Sequence, residues 1–298
     1  MDFSELRRFV FPAHERGEYQ AALDAIERYE TTDPDEIVDV AFWHVCLLSL
    51  LGRTDAACAE FARTLDGGLW WSERMIADHD LDAVRDDPKW QRLAAVSIAR
   101  ESQASAGPFR PLDIRPDGEL VGTLVLLHGF GWRPHSILDR YRPALGWGYR
   151  LIALHGTVPV AAGQFAWPAD DAEAVVISQL HDVGTPEHPV LSGFSQGAGI
   201  AGHLAWSGRV DAVGVFLVAP SFGPRGIPTP DSVTRRIPTV ILAGDEDRRI
   251  DKIRRAVANL EASTVPVRYD ERPGLGHDWP DDFAETLEAT LRRLQDSR

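Results

Sequence analysis

The sequence predicts an α/β protein in which a doubly wound, mostly parallel sheet follows an all-helical region. Residues 1–105 contain hardly any β-branched runs and carry apolar residues at helical spacing. In residues 106–298, six short apolar runs recur, and segments long enough for a helix lie between most of them. Near-continuous hydrophobic strands that alternate with helices are typical of a parallel sheet covered on both faces. We therefore expect two domains, 1–105 and 106–298.

The helical region contains an internal repeat. The segment "GEYQAALDAI" begins at Gly17 and "GRTDAACAEF" begins at Gly52, and both carry Ala five positions and a bulky apolar residue nine positions after the glycine. These positions are Ala22 with Ile26, and Ala57 with Phe61. The pattern resembles the second helix of a tetratricopeptide repeat, which would make residues 1–105 an array of helical hairpins with a possible protein partner. The alternative is an unrelated helical bundle.

Charge and composition exclude several functional classes. The net charge is −14, and residues 1–106 carry 21 acidic against 11 basic residues, so this part should repel nucleic acids and anionic membranes. No apolar run approaches a transmembrane span, and the first residues lack the apolar core of a signal peptide. Cys46 and Cys58 lie in helical-looking sequence and are expected to be buried thiols. These observations favour a cytoplasmic protein.

The six apolar runs predict the strands of the sheet. Ligands bind beyond the carboxyl ends of strands in such sheets, so catalytic residues are expected there. The runs are 123–129, 149–156, 188–195, 212–220, 239–247 and 265–271.

Ser195 follows the third of these runs, in "VLSGFSQGAGIAG". The five-residue pattern around it arises easily by chance, but here a buried strand precedes it and a helix rich in small residues follows. A nucleophilic serine on a strained strand-to-helix turn needs this setting, with Gly193 and Gly197 leaving room two positions before and after it. We therefore expect Ser195 to be a nucleophile.

A serine hydroxyl needs a base, and the base needs an orienting acid. His277, in "RPGLGHDWP", lies after the last predicted strand and is the expected base. The acid should lie after the preceding strand, where "TVILAGDEDRRID" offers four carboxylates and spacing does not choose among them. They are Asp245, Glu246, Asp247 and Asp251.

Two backbone N–H groups are expected to stabilise the oxyanion that ester attack creates. One belongs to Gln196, the residue after the predicted nucleophile. The other belongs to Phe130, in the "LLHGFGW" loop after the first long apolar run.

Residues from about 110 onward resemble the α/β-hydrolase fold, and most closely the phospholipase/carboxylesterase group that includes the acyl-protein thioesterases. The motifs that carry the resemblance are "LHGFG" at 127–131, "GFSQG" at 193–197, "GDEDRRI" at 244–250 and "GLGH" at 274–277. The third motif implies Asp247 as the acid, and Trp167 stands where the group has a substrate-binding tryptophan. The group's "RAP" segment is absent, and the helical region is not part of its single-domain members.

The expected function is that of a serine esterase. A triad of Ser195, His277 and Asp247 would cleave a carboxylic ester or thioester through an acyl-enzyme, without a metal or an organic cofactor. Two alternatives remain open from the sequence. One is a protein-interaction scaffold with a vestigial hydrolase domain, and the other is a peptidase of the same fold.

Overall fold

The computed structural model describes residues 1–296 and divides the chain into two compact units. The helical unit comprises residues 1–107 and the short segment 159–164. The sheet unit comprises residues 108–158 and the chain from residue 165 onward. Six residues that interrupt the sheet unit in sequence are therefore part of the helical unit by their contacts. Nothing in the local sequence indicates this assignment.

Helix-capping chemistry fixes several boundaries in the helical unit. Asp33 and Asp87 are N-caps followed by proline, and their carboxylates accept hydrogen bonds from the N–H groups of Asp35 and Lys89. The helices of residues 1–107 are α1 (Phe3–Glu15), α2 (Tyr19–Glu27), α3 (Pro34–Leu50), α4 (Thr54–Asp66), α5 (Glu73–Ile76) and α6 (Pro88–Ser105).

The two repeated glycines lie between helices at equivalent places. Gly17 separates α1 from α2 with φ of 73°, and Gly52 separates α3 from α4 with φ of 68°, a region that glycine enters without strain. The apolar positions of the repeat, which are Ala22, Ile26, Ala57 and Phe61, all lie in one buried cluster. The tetratricopeptide resemblance itself stays a prediction. Cys46 and Cys58 are buried free thiols, as expected.

Asp39 on α3 is a partly buried carboxylate. Burial raises its pKa from the usual 3.8 to about 6, although the hydrogen bond from Gln164 and the charge of Arg7 lower it; the charges of Asp35 and Glu36 raise it further. Because the folded chain keeps this proton to a higher pH than the unfolded chain, stability falls as the pH rises from 3.8 to about 6.

We therefore expect Asp39→Asn to stabilise the helical unit at pH 8 by about 1–3 kcal/mol, since asparagine keeps a hydrogen-bond acceptor without the buried charge. The difference from wild type should shrink towards zero as the pH falls well below 3.8, where Asp39 is protonated in both the folded and the unfolded wild-type chain. Urea unfolding followed by helical circular dichroism at pH 8 and at low pH measures it. An Asp39→Asn protein that is less stable than wild type at pH 8 contradicts the expectation.

The sheet unit contains a seven-stranded sheet. Its strands are β1 (Leu112–Ile114), β2 (Gly122–Leu127), β3 (Tyr149–Leu154), β6 (Val190–Phe194), β7 (Gly214–Val218), β8 (Thr239–Gly244) and β9 (Val267–Arg272). They are ordered β1-β3-β2-β6-β7-β8-β9 across the sheet. Strand β1 runs antiparallel to β3, and the remaining neighbours are parallel. A separate two-stranded sheet consists of β4 (Val158–Ala161) and β5 (Gln164–Ala166).

Helices cover both faces of the large sheet. Alternate residues of β2 show this, because Val125 and Leu127 belong to one buried cluster and Leu124 and Leu126 to the other. The first cluster includes side chains of α8 (Ala172–Asp182), α9 (Ser195–Trp206) and α10 (Ile250–Ala262). The second includes side chains of α7 (Pro134–Tyr141) and α11 (Phe283–Asp296). This is the doubly wound arrangement that the sequence predicts.

All six predicted strands are confirmed, each slightly shorter than its apolar run. Strands β1, β4 and β5 were not predicted, because they have only three or four residues each. Among the described residues, no helix combines the length and the apolar character needed to cross a lipid bilayer.

Candidate active site

Ser195 is the first residue of α9, directly after β6. Its φ of 50° is a left-handed conformation that a residue with a side chain adopts only under strain. The turn holds the side chain at the carboxyl edge of the sheet, where 8% of the residue's surface is exposed. The strand–turn–helix setting thus has the geometry expected of a nucleophile elbow.

Glycines make this turn possible. A Cβ on Gly197 would lie 2.1 Å from the carbonyl oxygen of Leu127, and one on Gly193 would lie 2.8 Å from the same atom. A Cβ on Gly199 would lie 2.1 Å from the carbonyl oxygen of Ser221. Because these neighbours are backbone atoms that cannot move aside cheaply, only glycine fits at these positions.

The structure brings the three residues of the predicted triad together. The Nε2 atom of His277 lies 2.9 Å from Ser195 Oγ, and its Nδ1 atom lies 2.6 Å from Asp247 Oδ2. A neutral imidazole with its proton on Nδ1 donates to Asp247 and can accept the serine proton at Nε2. The arrangement can therefore transfer a proton from the hydroxyl to the ring.

Asp247 is the most enclosed of the four candidate carboxylates, with 1% of its surface exposed. Its Oδ1 atom accepts a hydrogen bond of 2.9 Å from the N–H of Arg249. Burial alone would raise the pKa of Asp247, but the hydrogen bond from His277 and the charges of His277 and Arg249 lower it below 3.8. The carboxyl group is therefore ionised at neutral pH.

The other candidate acids point elsewhere. The Oδ1 atom of Asp245 accepts a hydrogen bond of 2.7 Å from the N–H of Gly274, and Glu246 is exposed. The side chain of Asp251 is 92% exposed and pairs with Arg254 on its own helix.

The loop after β2 carries Phe130 and lies beside Ser195. A Cβ on Gly129 would lie 3.6 Å from Ser195 Cβ, which shows how closely the two segments approach. Phe130 is 44% exposed and follows this glycine directly. The N–H of Gln196 belongs to the first turn of α9, where backbone donors have no partner within the helix. Phe130 and Gln196 thus belong to the two segments that meet at the serine turn, and their role as oxyanion donors stays a prediction.

His128 supports the loop after β2 through hydrogen bonds, a role that was not predicted from the sequence. Burial lowers its pKa to about 3, so the ring is neutral. Its Nδ1–H donates to the carbonyl oxygen of Gly129 at 2.8 Å, and its Nε2 accepts from the N–H of Gly156 at 2.9 Å. Because the partners are backbone groups, no sequence spacing indicates this contact.

Trp167, which was predicted to bind substrate, is a buried side chain. It is 2% exposed, and its Nε1–H donates to the carbonyl oxygen of His128 at 2.9 Å. The side-chain amide of Gln196 holds its backbone from both sides, accepting from its N–H at 3.2 Å and donating to its carbonyl at 3.0 Å. These contacts connect Trp167 to the loop after β2 and to the first turn of α9, and its role in substrate binding stays a prediction.

An aromatic stack connects the three segments that carry the site. Trp132 stacks on Phe194 with ring centroids 4.7 Å apart, and Phe194 stacks on Trp279 at 4.9 Å. The Phe194 ring also lies 5.1 Å from that of His277. Each such pair contributes about 0.5–1.5 kcal/mol beyond its area burial, so the stack holds the loop after β2, the serine turn and the histidine loop in register.

The site contains ionisable groups with a proton-transfer geometry rather than a metal-ligand arrangement. Within residues 1–296, no group of three or more His, Cys, Asp or Glu side chains is placed to hold a metal ion.

Comparison with known proteins identifies the fold. The chain matches no protein-family model, and no curated protein sequence matches it. Solved structures do match. An uncharacterized protein from Bacillus cereus ATCC 10987 covers 100% of both chains at 18% identity, with a TM-score of 0.50.

Two named enzymes match the latter part of the chain. The structure of esterase PE8 covers 63% of this chain and 100% of its own, at 18% identity and a TM-score of 0.54. The Bacillus cereus carboxylesterase covers 65% of this chain and 98% of its own, at 16% identity and a TM-score of 0.51. At these identities the likeness shows the fold alone, and that fold is the α/β-hydrolase fold.

Proposed function

We propose that this chain is a serine hydrolase that cleaves carboxylic esters or thioesters through an acyl-enzyme. The observation that carries the proposal is the hydrogen-bonded chain from Asp247 through His277 to Ser195, at 2.6 and 2.9 Å, with the serine on a strained turn. The names of esterase PE8 and the carboxylesterase, which share its fold, support an ester as the substrate class.

In the first step, Ser195 Oγ attacks the carbonyl carbon while His277 Nε2 takes the hydroxyl proton. The resulting imidazolium is stabilised by the ionised Asp247, to which its Nδ1–H remains hydrogen-bonded. The carbonyl oxygen becomes an oxyanion, for which the backbone N–H groups of Gln196 and Phe130 are the proposed donors.

In the second step, the carbon–oxygen or carbon–sulfur bond to the leaving group breaks, and His277 returns its proton to the departing atom. Water then enters, gives a proton to His277 and attacks the acyl-enzyme. Collapse of this second tetrahedral species releases the acid and restores the proton to Ser195. Every proton that moves in the cycle is carried by water, the leaving group, Ser195 or His277, and Asp247 stays ionised.

Covalent labelling tests the proposal directly. We expect a fluorophosphonate to add once per chain, at Ser195 in a peptide map, and to stop hydrolysis of p-nitrophenyl esters in proportion to labelling. Heat-denatured protein is the control and should not react. Labelling at a different residue, or no labelling of a folded sample, would contradict the proposed nucleophile.

Matched substrates resolve the substrate class. An oxyester, a thioester and a p-nitroanilide with the same acyl group separate esterase and thioesterase activity from peptidase activity. We expect turnover of at least one of the first two and little turnover of the anilide. Preferential cleavage of the anilide would favour a peptidase.

A further inference from the structure

The segment 159–164 forms backbone hydrogen bonds with residues 70–72 of the same helical unit. The N–H of Ser72 donates to the carbonyl of Val160 at 2.8 Å, and the N–H of Ala162 donates to the carbonyl of Trp70 at 3.0 Å. Such pairing resists sliding, because a one-residue shift breaks both hydrogen bonds and turns each side chain to the other side.

Gln164, the last residue of the segment, fixes it by its side chain. Its Nε2 atom donates to Asp39 Oδ1 at 2.8 Å and approaches the carbonyl oxygen of Asp35 at 3.3 Å. Both partners belong to α3, and Gln164 is only 3% exposed. A buried amide that lost these partners would be left unsatisfied, which favours a single position for this residue.

The next residue along the chain, Phe165, is bonded to the loop after β2. The N–H of Gly131 donates to the carbonyl of Phe165 at 3.0 Å, and the N–H of Phe165 donates to the carbonyl of Trp132 at 3.0 Å. These two bonds hold the residues that directly follow Phe130. Within the sheet unit, the backbone of Phe165 is therefore one of the supports of the proposed oxyanion loop.

We propose that Gln164 is a positioning residue for ester hydrolysis. Its bond to Asp39 fixes one end of the peptide link to Phe165, and Phe165 fixes the loop that carries the Phe130 N–H. The inference rests on the proposed function of the Ser195 site and extends it to a residue outside the proposed triad.

The contribution of such a residue has a defined kinetic signature. Oxyanion donors act on the charge that develops in the transition state, so a loosened loop lowers kcat more than it raises KM. Loss of one donor outright reduces kcat by about a hundredfold to a thousandfold. If the loop is displaced only part of the time, the reduction in kcat should be smaller. For Gln164→Ala we therefore expect kcat to fall by about tenfold to a hundredfold.

The experiment uses the full chain with four variants. Gln164→Ala removes the amide, and Asp39→Ala removes the acceptor while leaving Gln164 in place. Asp39→Asn keeps an acceptor at the same position and should restore most of the activity that Asp39→Ala loses. Tyr29→Phe is the matched control, because it removes a hydrogen bond of 2.8 Å to Glu36 of α3 that does not involve the segment.

Two readouts separate positioning from general stability. We expect Gln164→Ala and Asp39→Ala to lower kcat at nearly unchanged KM, and to weaken a trifluoromethyl ketone inhibitor by the same factor as kcat/KM. This inhibitor forms a tetrahedral oxyanion on a serine and so reports on the donors. Tyr29→Phe should alter the melting temperature alone. If Gln164→Ala does not fold, Gln164→Asn makes the same test with a shorter amide.

The outcomes distinguish the two proposals. If Ser195→Ala retains ester hydrolysis, the proposed function is wrong, whatever the Gln164 variants do. If Ser195→Ala is inactive but the folded Gln164 and Asp39 variants keep wild-type kcat and inhibitor affinity, the positioning role is wrong and the proposed function stands. Equal losses in Asp39→Ala and Asp39→Asn would also overturn the positioning role.

Discussion

Replacement of Ser195 by alanine should lower kcat for a p-nitrophenyl ester by about 10⁴- to 10⁶-fold, with little change in the melting temperature. The hydroxyl is the atom that would bond to the acyl group, and it lies 2.9 Å from His277 Nε2. Residual turnover would come from substrate binding and the oxyanion donors alone. Steady-state kinetics with active-site titration of the wild type measures the ratio.

Ser207→Ala is the matched control for this substitution. Ser207 caps the other end of α9, and its hydroxyl only approaches the carbonyl of Leu204 at 3.4 Å, so its loss should leave kcat unchanged. A Ser195→Ala protein that hydrolysed the ester at a rate near wild type would remove the serine from the mechanism. Circular dichroism of both variants establishes that the fold is intact.

The long strands were predictable because their signal is local. The run 123–129, for example, has four consecutive apolar residues at its centre, because both faces of the sheet are covered. Such a run can be read from the sequence without knowing which strands lie beside it. The turn at Ser195 was predictable for the same reason. The glycines that its close backbone contacts require lie within a few positions of it in sequence.

The supports of the site were not predictable, because their partners are distant in sequence. The bond from Gln164 to Asp39 spans 125 residues, and that from Trp167 to the His128 carbonyl spans 39. Gln164 and Asp39 are residue types that are common on protein surfaces, so nothing in the sequence marks them as buried partners. Only the folded chain shows that Gln164 is buried, and that Trp167 holds a loop.

The choice among the four candidate carboxylates shows what a sequence pattern can and cannot predict. Spacing left four carboxylates open, and a family resemblance implied Asp247. In the structure, Asp247 is the one that is hydrogen-bonded to His277, whereas Asp245 accepts from a backbone N–H at 2.7 Å. A local sequence pattern can place a catalytic acid in the correct loop. Which carboxylate contacts the imidazole ring of His277 depends on the tertiary structure.

Asp247→Asn should lower kcat/KM by about 10³- to 10⁴-fold while preserving the fold. The carboxylate now accepts the Nδ1–H of His277 at 2.6 Å, which leaves Nε2 free to take the serine proton. An asparagine amide that donates to Nδ1 would stabilise the opposite tautomer, with the proton on Nε2. That ring cannot act as a base towards Ser195, and no carboxylate remains to stabilise the imidazolium.

Asp251→Asn is the matched control, because it removes the same charge from the first turn of α10, four residues away, at a side chain that is 92% exposed. Its effect on kcat/KM should be small, since an exposed charge at this position is screened by solvent. Comparable losses in the two variants would mean that the loop's charge matters more than a specific bond to His277. A loss confined to Asp247→Asn, with unchanged fluorophosphonate stoichiometry after long incubation, places the defect in the reactivity of Ser195 rather than in its accessibility.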